Sequence, residues 1–91
     1  MPEKTVTVGS SVGLHARPAS LFVQAAARQS VKVKIAKPGG DPVDARSILL
    51  MLGLDARGGE EVVLSAEGDG AEQALDELAT VVATDHDAEA A

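Results

Sequence analysis

Apolar positions recur along this chain at two periods, and the switch between them marks its elements. A period of two runs through Thr5 to Val8, with Val6 and Val8 on one side. It recurs where Val31, Val33 and Ile35 alternate with Lys32 and Lys34, and again at Val62, Leu64 and Ala66. Such alternation predicts half-buried strands. A fourth, short strand is expected around Val43, after a turn at Pro38-Gly39-Gly40. Pro42 marks it as an edge strand, because proline has no N–H to give a ladder. Helical spacing instead places Ala19, Phe22, Val23 and Ala26 on one stripe of a helix from Ala16 to Arg28. Ala71, Ala74, Leu75, Leu78, Val81 and Val82 form a second stripe. Between them, Ser47 is read as the N-cap of a short helix from Ile48 to about Leu52, closed by Gly53. Asp69 with Glu72 reads as a capping box for the last helix. The order is βαββαβα, an α+β chain whose helices must cover one face of a sheet of hairpin-compatible strands. Periodicity alone leaves several split-βαβ topologies open, a ferredoxin-like one among them.

The short helix departs from simple amphipathicity. Ile48, Leu49, Leu50, Met51 and Leu52 are consecutive, and at 3.6 residues per turn they cannot all face inward. The exposed remainder reads as a partner-binding surface. On the first helix, Arg17, Ser20, Gln24 and Arg28 fall three or four residues apart on the face away from the core. That polar stripe is either a docking edge or plain solvated surface.

Composition narrows the picture. A chain of 91 residues fits one domain, which buries roughly 60–65% of its unfolded surface. We read residues 1–84 as that domain and 85–91 as a polar, frayed tail in which His86 is inert. Phe22 is the sole aromatic residue, so the core must be aliphatic. No cysteine is present, which excludes disulfide and thiolate chemistry and favours an intracellular location. No stretch approaches the apolar length of a membrane span or signal segment, so neither is expected. The net charge of −6 argues against nucleic acid. Residues 1–37 carry six basic residues against Glu3, a net +5, whereas the rest carries Arg46 and Arg57 against 13 carboxylates, a net −11. Lys32, Lys34 and Lys37 are read as solvating a strand face. With His15 and His86 as the only histidines, no metal-ligand constellation exists, and no nucleotide-binding loop occurs.

The basic half holds the candidate chemistry, Gly13-Leu14-His15-Ala16-Arg17-Pro18-Ala19. A loop rich in Gly and Ser delivers His15 to the start of the first helix. The first N–H groups of a helix lack intrahelical acceptors and sit at the positive end of its dipole, which suits an anion. Pro18 fits the first turn, and Arg17 adds a planar cationic fork matched to phosphate oxygens. Nearby positive charge biases the His15 imidazole toward its neutral, nucleophilic form. These residues therefore propose a phosphoryl acceptor at His15, with Arg17 and backbone N–H groups such as that of Ala16 holding the anion; the alternative is a capping or surface histidine beside an ordinary solvated arginine.

The same seven residues are similar to the active-site signature of the HPr family, the histidine-containing phosphocarriers of the bacterial phosphotransferase system. Ala45 to Leu54 resembles that family's regulatory-serine segment, and the likeness runs from Lys4 to about Thr84. One extra residue in the Pro38–Pro42 region implies a slightly longer hairpin loop than the family's. The resemblance implies an open-faced β-sandwich, with a four-stranded antiparallel sheet covered on one side by three helices. It implies a monomeric cytoplasmic carrier without a cofactor. His15 would accept a phosphoryl group from Enzyme I, itself charged by phosphoenolpyruvate, and pass it to IIA domains of sugar permeases. Such a carrier forms a covalent phosphohistidine but is not a stand-alone catalyst. The resemblance further assigns Ser47 to control by an HPr kinase and a transcriptional regulator, and docking to Ser20, Gln24, Ile48, Leu49 and Leu52. Alternatives are a carrier for a nitrogen-regulatory or dihydroxyacetone-linked branch, or a protein-binding module controlled at Ser47, against which His15 itself argues. A hydrolase using His15 as base would need a carboxylate or nucleophile close by.

Overall fold

A computed structural model of the chain describes residues 3–9, 16–54 and 57–84, with the backbone alone for 16–18. The elements are β1 (Glu3–Thr7), α1 (Ala16–Ala27), β2 (Val33–Ala36), β3 (Val43–Asp44), α2 (Ile48–Gly53), β4 (Glu61–Ala66) and α3 (Ala71–Ala83). The strands form one sheet in the order β1-β4-β2-β3, with every pair antiparallel.

Register explains the alternation in the sequence. Val6 lies opposite Val62, Ile35 opposite Leu64, and Val33 opposite Ala66. Since side chains alternate across a strand, these pairs share one face. Helices α1 and α3 cover that face. Phe22, Ala19 and Ala26 of α1 and Ala74, Leu75, Leu78 and Val82 of α3 are buried against it. Each fully buried Phe, Leu or Ile contributes about 1.5–3 kcal/mol relative to exposure. β3 is the far edge strand, as Pro42 requires.

Local details correct three readings. Asp69 and Glu72 do not form a capping box: the N-cap of α3 is Gly70, at φ 88°, and no side chain caps the helix. The left-handed turn at Gly70 starts the helix one residue later than an Asp69 cap would need. Gly53 does not close α2 as a left-handed residue either. It is the last helical residue, and Leu54 follows at φ −67°, its N–H reaching Leu52 and Met51 carbonyls. The C-terminal stripe also shifts: Ala79 is buried while Val81 only packs against the core's rim.

Among the described residues, no helix lies on the other sheet face. Lys34 lies opposite both Ser65 and Asp44, and Lys32 Nζ stands 3.8 Å from Asp44 Oδ2. Those lysines solvate the open face, as the alternation predicts. Among the described residues, no helix is long and apolar enough to cross a membrane.

Candidate functional site

The strand that precedes the candidate segment ends in a fixed junction. Val8 N–H donates to the Glu60 carbonyl at 2.8 Å, and Gly59 N–H donates to the Val8 carbonyl at 3.0 Å. Gly9 N–H then donates at 2.9 Å to the carbonyl of Val82, in the last turn of α3. Residues 10–15 follow, so His15 lies outside the described residues. The helix α1 resumes the description at Ala16, its first residue. Arg17 is its second residue, and its side chain also lies outside what is described. At its far end, α1 is closed by Arg28 and Gln29 N–H groups on the Ala25 and Ala26 carbonyls, both at 3.2 Å. The Gln29 amide donates onward to the Ala25 carbonyl and to Glu77 Oε2, tying α1 to α3.

Ser20 and Gln24 share the polar side of α1, with Gln24 Nε2 donating to Ser20 Oγ at 3.2 Å. Helix α2 packs beside α1 and against β3. This brings the Ser20–Gln24 stripe and the apolar helix into neighbouring elements.

Ser47 caps α2 as its sequence position predicts. Its backbone is extended at φ −102°, and its Oγ accepts from the Leu50 N–H at 3.3 Å. Of the five consecutive apolar residues, Met51 alone is buried. Ile48, Leu49, Leu50 and Leu52 are exposed, Leu49 by 79%. Leu50 was not among the residues assigned to docking, yet it belongs to the same apolar surface. Fixing Met51 inward on a 3.6-residue period would have placed Leu50 outside with its neighbours.

The turn into α2 carries a contact that the sequence reading missed. Arg46 N–H donates to Asp44 Oδ1 at 2.9 Å, and its guanidinium reaches both carboxylate oxygens at 3.3 Å. The side-chain and backbone hydrogen bonds from Arg46 hold the Asp44 carboxyl below its ordinary pKa of 3.8. In return, the hydrogen bond to Asp44 raises the Arg46 guanidinium above its ordinary value. The Asp44 carbonyl also accepts the Ser47 N–H at 3.2 Å, so this pair braces the cap of α2. An Asp-x-Arg spacing just before a capping serine was the available signal. Among the described residues, no group of three or more His, Asp or Glu is placed to hold a metal ion.

The family model for the PTS HPr component phosphorylation site matches residues 2–90. The phosphocarrier protein HPr of Streptomyces coelicolor is 57% identical over 83 residues, covering 91% of this chain and 89% of that protein. A crystal structure of a phosphocarrier protein HPr from Bacillus anthracis aligns with a TM-score of 0.83 at 41% identity. That alignment covers 89% of this chain and 95% of the other. An HPr dimer from Thermoanaerobacter tengcongensis, 40% identical, aligns with a TM-score of 0.67 over 90% of this chain and 93% of that one. The open four-stranded sheet with three helices is the fold of these structures. With the match spanning nearly the whole chain, this protein belongs to the HPr family of phosphotransferase-system phosphocarriers.

Proposed function

We propose that this chain is one phosphocarrier domain, through about residue 84, that shuttles a phosphoryl group between Enzyme I and IIA domains of sugar permeases. A ring nitrogen of His15 attacks phosphorus, an N–P bond forms, and the bond from phosphorus to Enzyme I breaks. The second step reverses this on the IIA domain and returns His15 free. Family membership carries the reading. It is supported by the order of the chain, in which His15 directly precedes Ala16, the first residue of a 12-residue helix. The Ala16 and Arg17 N–H groups of such a helix have no intrahelical acceptor and stabilise an anion. Arg17 supplies a bidentate fork for the phosphoryl oxygens.

Docking is assigned to the exposed residues of α2, Ile48, Leu49 and Leu52, with Leu50 added, together with Ser20 and Gln24 of neighbouring α1. Modification of Ser47 by an HPr kinase puts a phosphate of about −1.5 to −2 charge beside that apolar surface, which opposes docking. A transcriptional regulator is the reader of that modified form. The carrier acts as a monomer in the cytoplasm. The test is reconstitution with phosphoenolpyruvate, Enzyme I and a IIA domain. Phosphoryl label should reach the IIA domain only when this chain is present, and not with His15→Ala. Label on the IIA domain in the absence of this chain contradicts the reading.

A further inference from the structure

Gly9 is the last described residue before the segment that leads to His15, and its surroundings leave no room for a side chain. A Cβ built on Gly9 falls 1.9 Å from the Ala83 carbonyl oxygen and 2.5 Å from the Ala83 carbonyl carbon. The obstacle is backbone, in the last turn of α3, so no rotamer change relieves it. The same approach allows the 2.9 Å bond from Gly9 N–H to the Val82 carbonyl. That carbonyl lies in the final turn of a helix, where acceptors lack intrahelical donors. One missing Cβ thus lets the end of β1 seat directly on the end of α3. It also fixes one end of the six-residue segment whose other end is fixed by Ala16 in α1.

We infer that Gly9 is a positioning residue for phosphoryl transfer at His15, acting through its seat on the Val82 and Ala83 carbonyls. This rests on the phosphocarrier reading of His15. Transfer between two proteins requires the acceptor nitrogen in line with phosphorus, and displacements of about 1 Å can cost as much as 100-fold in rate. A side chain at position 9 must push β1 away from α3; the chain continues from Gly9 to His15, whereas α1 meets the push through its packing on α3. The signature is a fall in kcat that exceeds any rise in KM for Enzyme I.

The experiment uses the full chain in four forms: wild type, Gly9→Ala, Thr84→Pro and Val33→Ala. Thr84 sits at φ −76°, which proline adopts without strain. Proline there disfavours helical geometry at the residue before it. Thr84→Pro therefore shifts the Ala83 carbonyl while leaving Gly9 itself unchanged, and the bonds it removes are those from the Thr84 N–H and Oγ1 to the Thr80 carbonyl. Val33→Ala, in the core under β2, is the control for lost stability alone. Rates of phosphorylation by Enzyme I and phosphoenolpyruvate are measured well below each melting temperature, with the His15 imidazole titration followed by NMR. Gly9→Ala should lose roughly tenfold or more in kcat, well beyond any rise in KM, with a shifted His15 titration. Thr84→Pro should show the same signature more weakly, and it decides the matter alone if Gly9→Ala does not fold. Val33→Ala should transfer at the wild-type rate. Wild-type kcat and an unmoved His15 titration in both junction variants would overturn the inference while leaving the phosphocarrier reading intact. Failure of the wild type to accept phosphoryl at all overturns both.

Discussion

Leu49 and Met51, two residues apart on α2, face opposite ways: Leu49 is 79% exposed and Met51 is fully buried. This one helix thus anchors to the core through a single side chain and offers the rest of its apolar surface outward. Leu49→Asp should leave stability within about 0.5 kcal/mol, as for an exposed site, and raise KM for Enzyme I several-fold. Met51→Ala should instead cost about 2–5 kcal/mol through the cavity it leaves. Chemical denaturation and steady-state transfer separate the two. An unchanged KM in Leu49→Asp would remove α2 from the docking surface.

In the proposed function Ser47 joins cap and control in one residue, and substitutions can part them. Ser47→Ala loses the bond from Leu50 N–H and should cost about 0.5–1 kcal/mol, the lower part of the N-cap range for a 3.3 Å contact. Ser47→Asp keeps a capping oxygen and adds negative charge. It should melt at or above the wild-type temperature yet accept phosphoryl from Enzyme I more slowly. Wild-type transfer in a folded Ser47→Asp protein would contradict the proposed control.

The Asp44–Arg46 pair gives a pH signature. The Asp44 carboxyl titrates below 3.8 because Arg46 bonds its charged form. A depressed folded-state value means that the pair's stabilisation is present above the unfolded pKa and is lost as pH falls through the folded one. An NMR titration should place the Asp44 midpoint below 3.8, and Arg46→Gln should move it upward. Equal midpoints in the two proteins would show that the guanidinium does not act on Asp44.

Arg17→Lys addresses the site itself. A point charge does not replace a bidentate fork, and a lost charge-assisted bond costs about 1.5–3 kcal/mol. The lysine variant should fold normally and transfer roughly tenfold or more slowly. Equal rates would reduce Arg17 to a nearby positive charge.

How much of this was legible in the sequence follows from which forces are local. The strand faces at Val6, Val62, Leu64, Val33 and Ile35 could be read directly, because a period of two reports burial on one side of a sheet. The Ser47 cap was legible because a hydroxyl beside an apolar run has one favoured use. Strand order was not legible from period, since β1 pairs with β4 across most of the chain; the family signature supplied a four-stranded antiparallel sheet but not its order. The Asp69–Glu72 capping box was misread because residue types alone do not reveal that Gly70 turns left-handed between Asp69 and the helix. The seat of Gly9 on Ala83 was invisible for a similar reason. A glycine in a Gly/Ser loop looks like flexibility until α3 is placed against it. Of the candidate site, Ser20, Gln24 and Ser47 fall where their spacing put them, whereas His15 and the Arg17 side chain lie outside the described residues.

The central claim is that His15 takes up the phosphoryl group, and intact mass measurement tests it most directly. The full chain is incubated with phosphoenolpyruvate and catalytic Enzyme I, then weighed before and after brief acid treatment. The account predicts a gain of one phosphoryl group that disappears in acid and never forms on His15→Ala. An acid-stable adduct, or one that persists in His15→Ala, would contradict it.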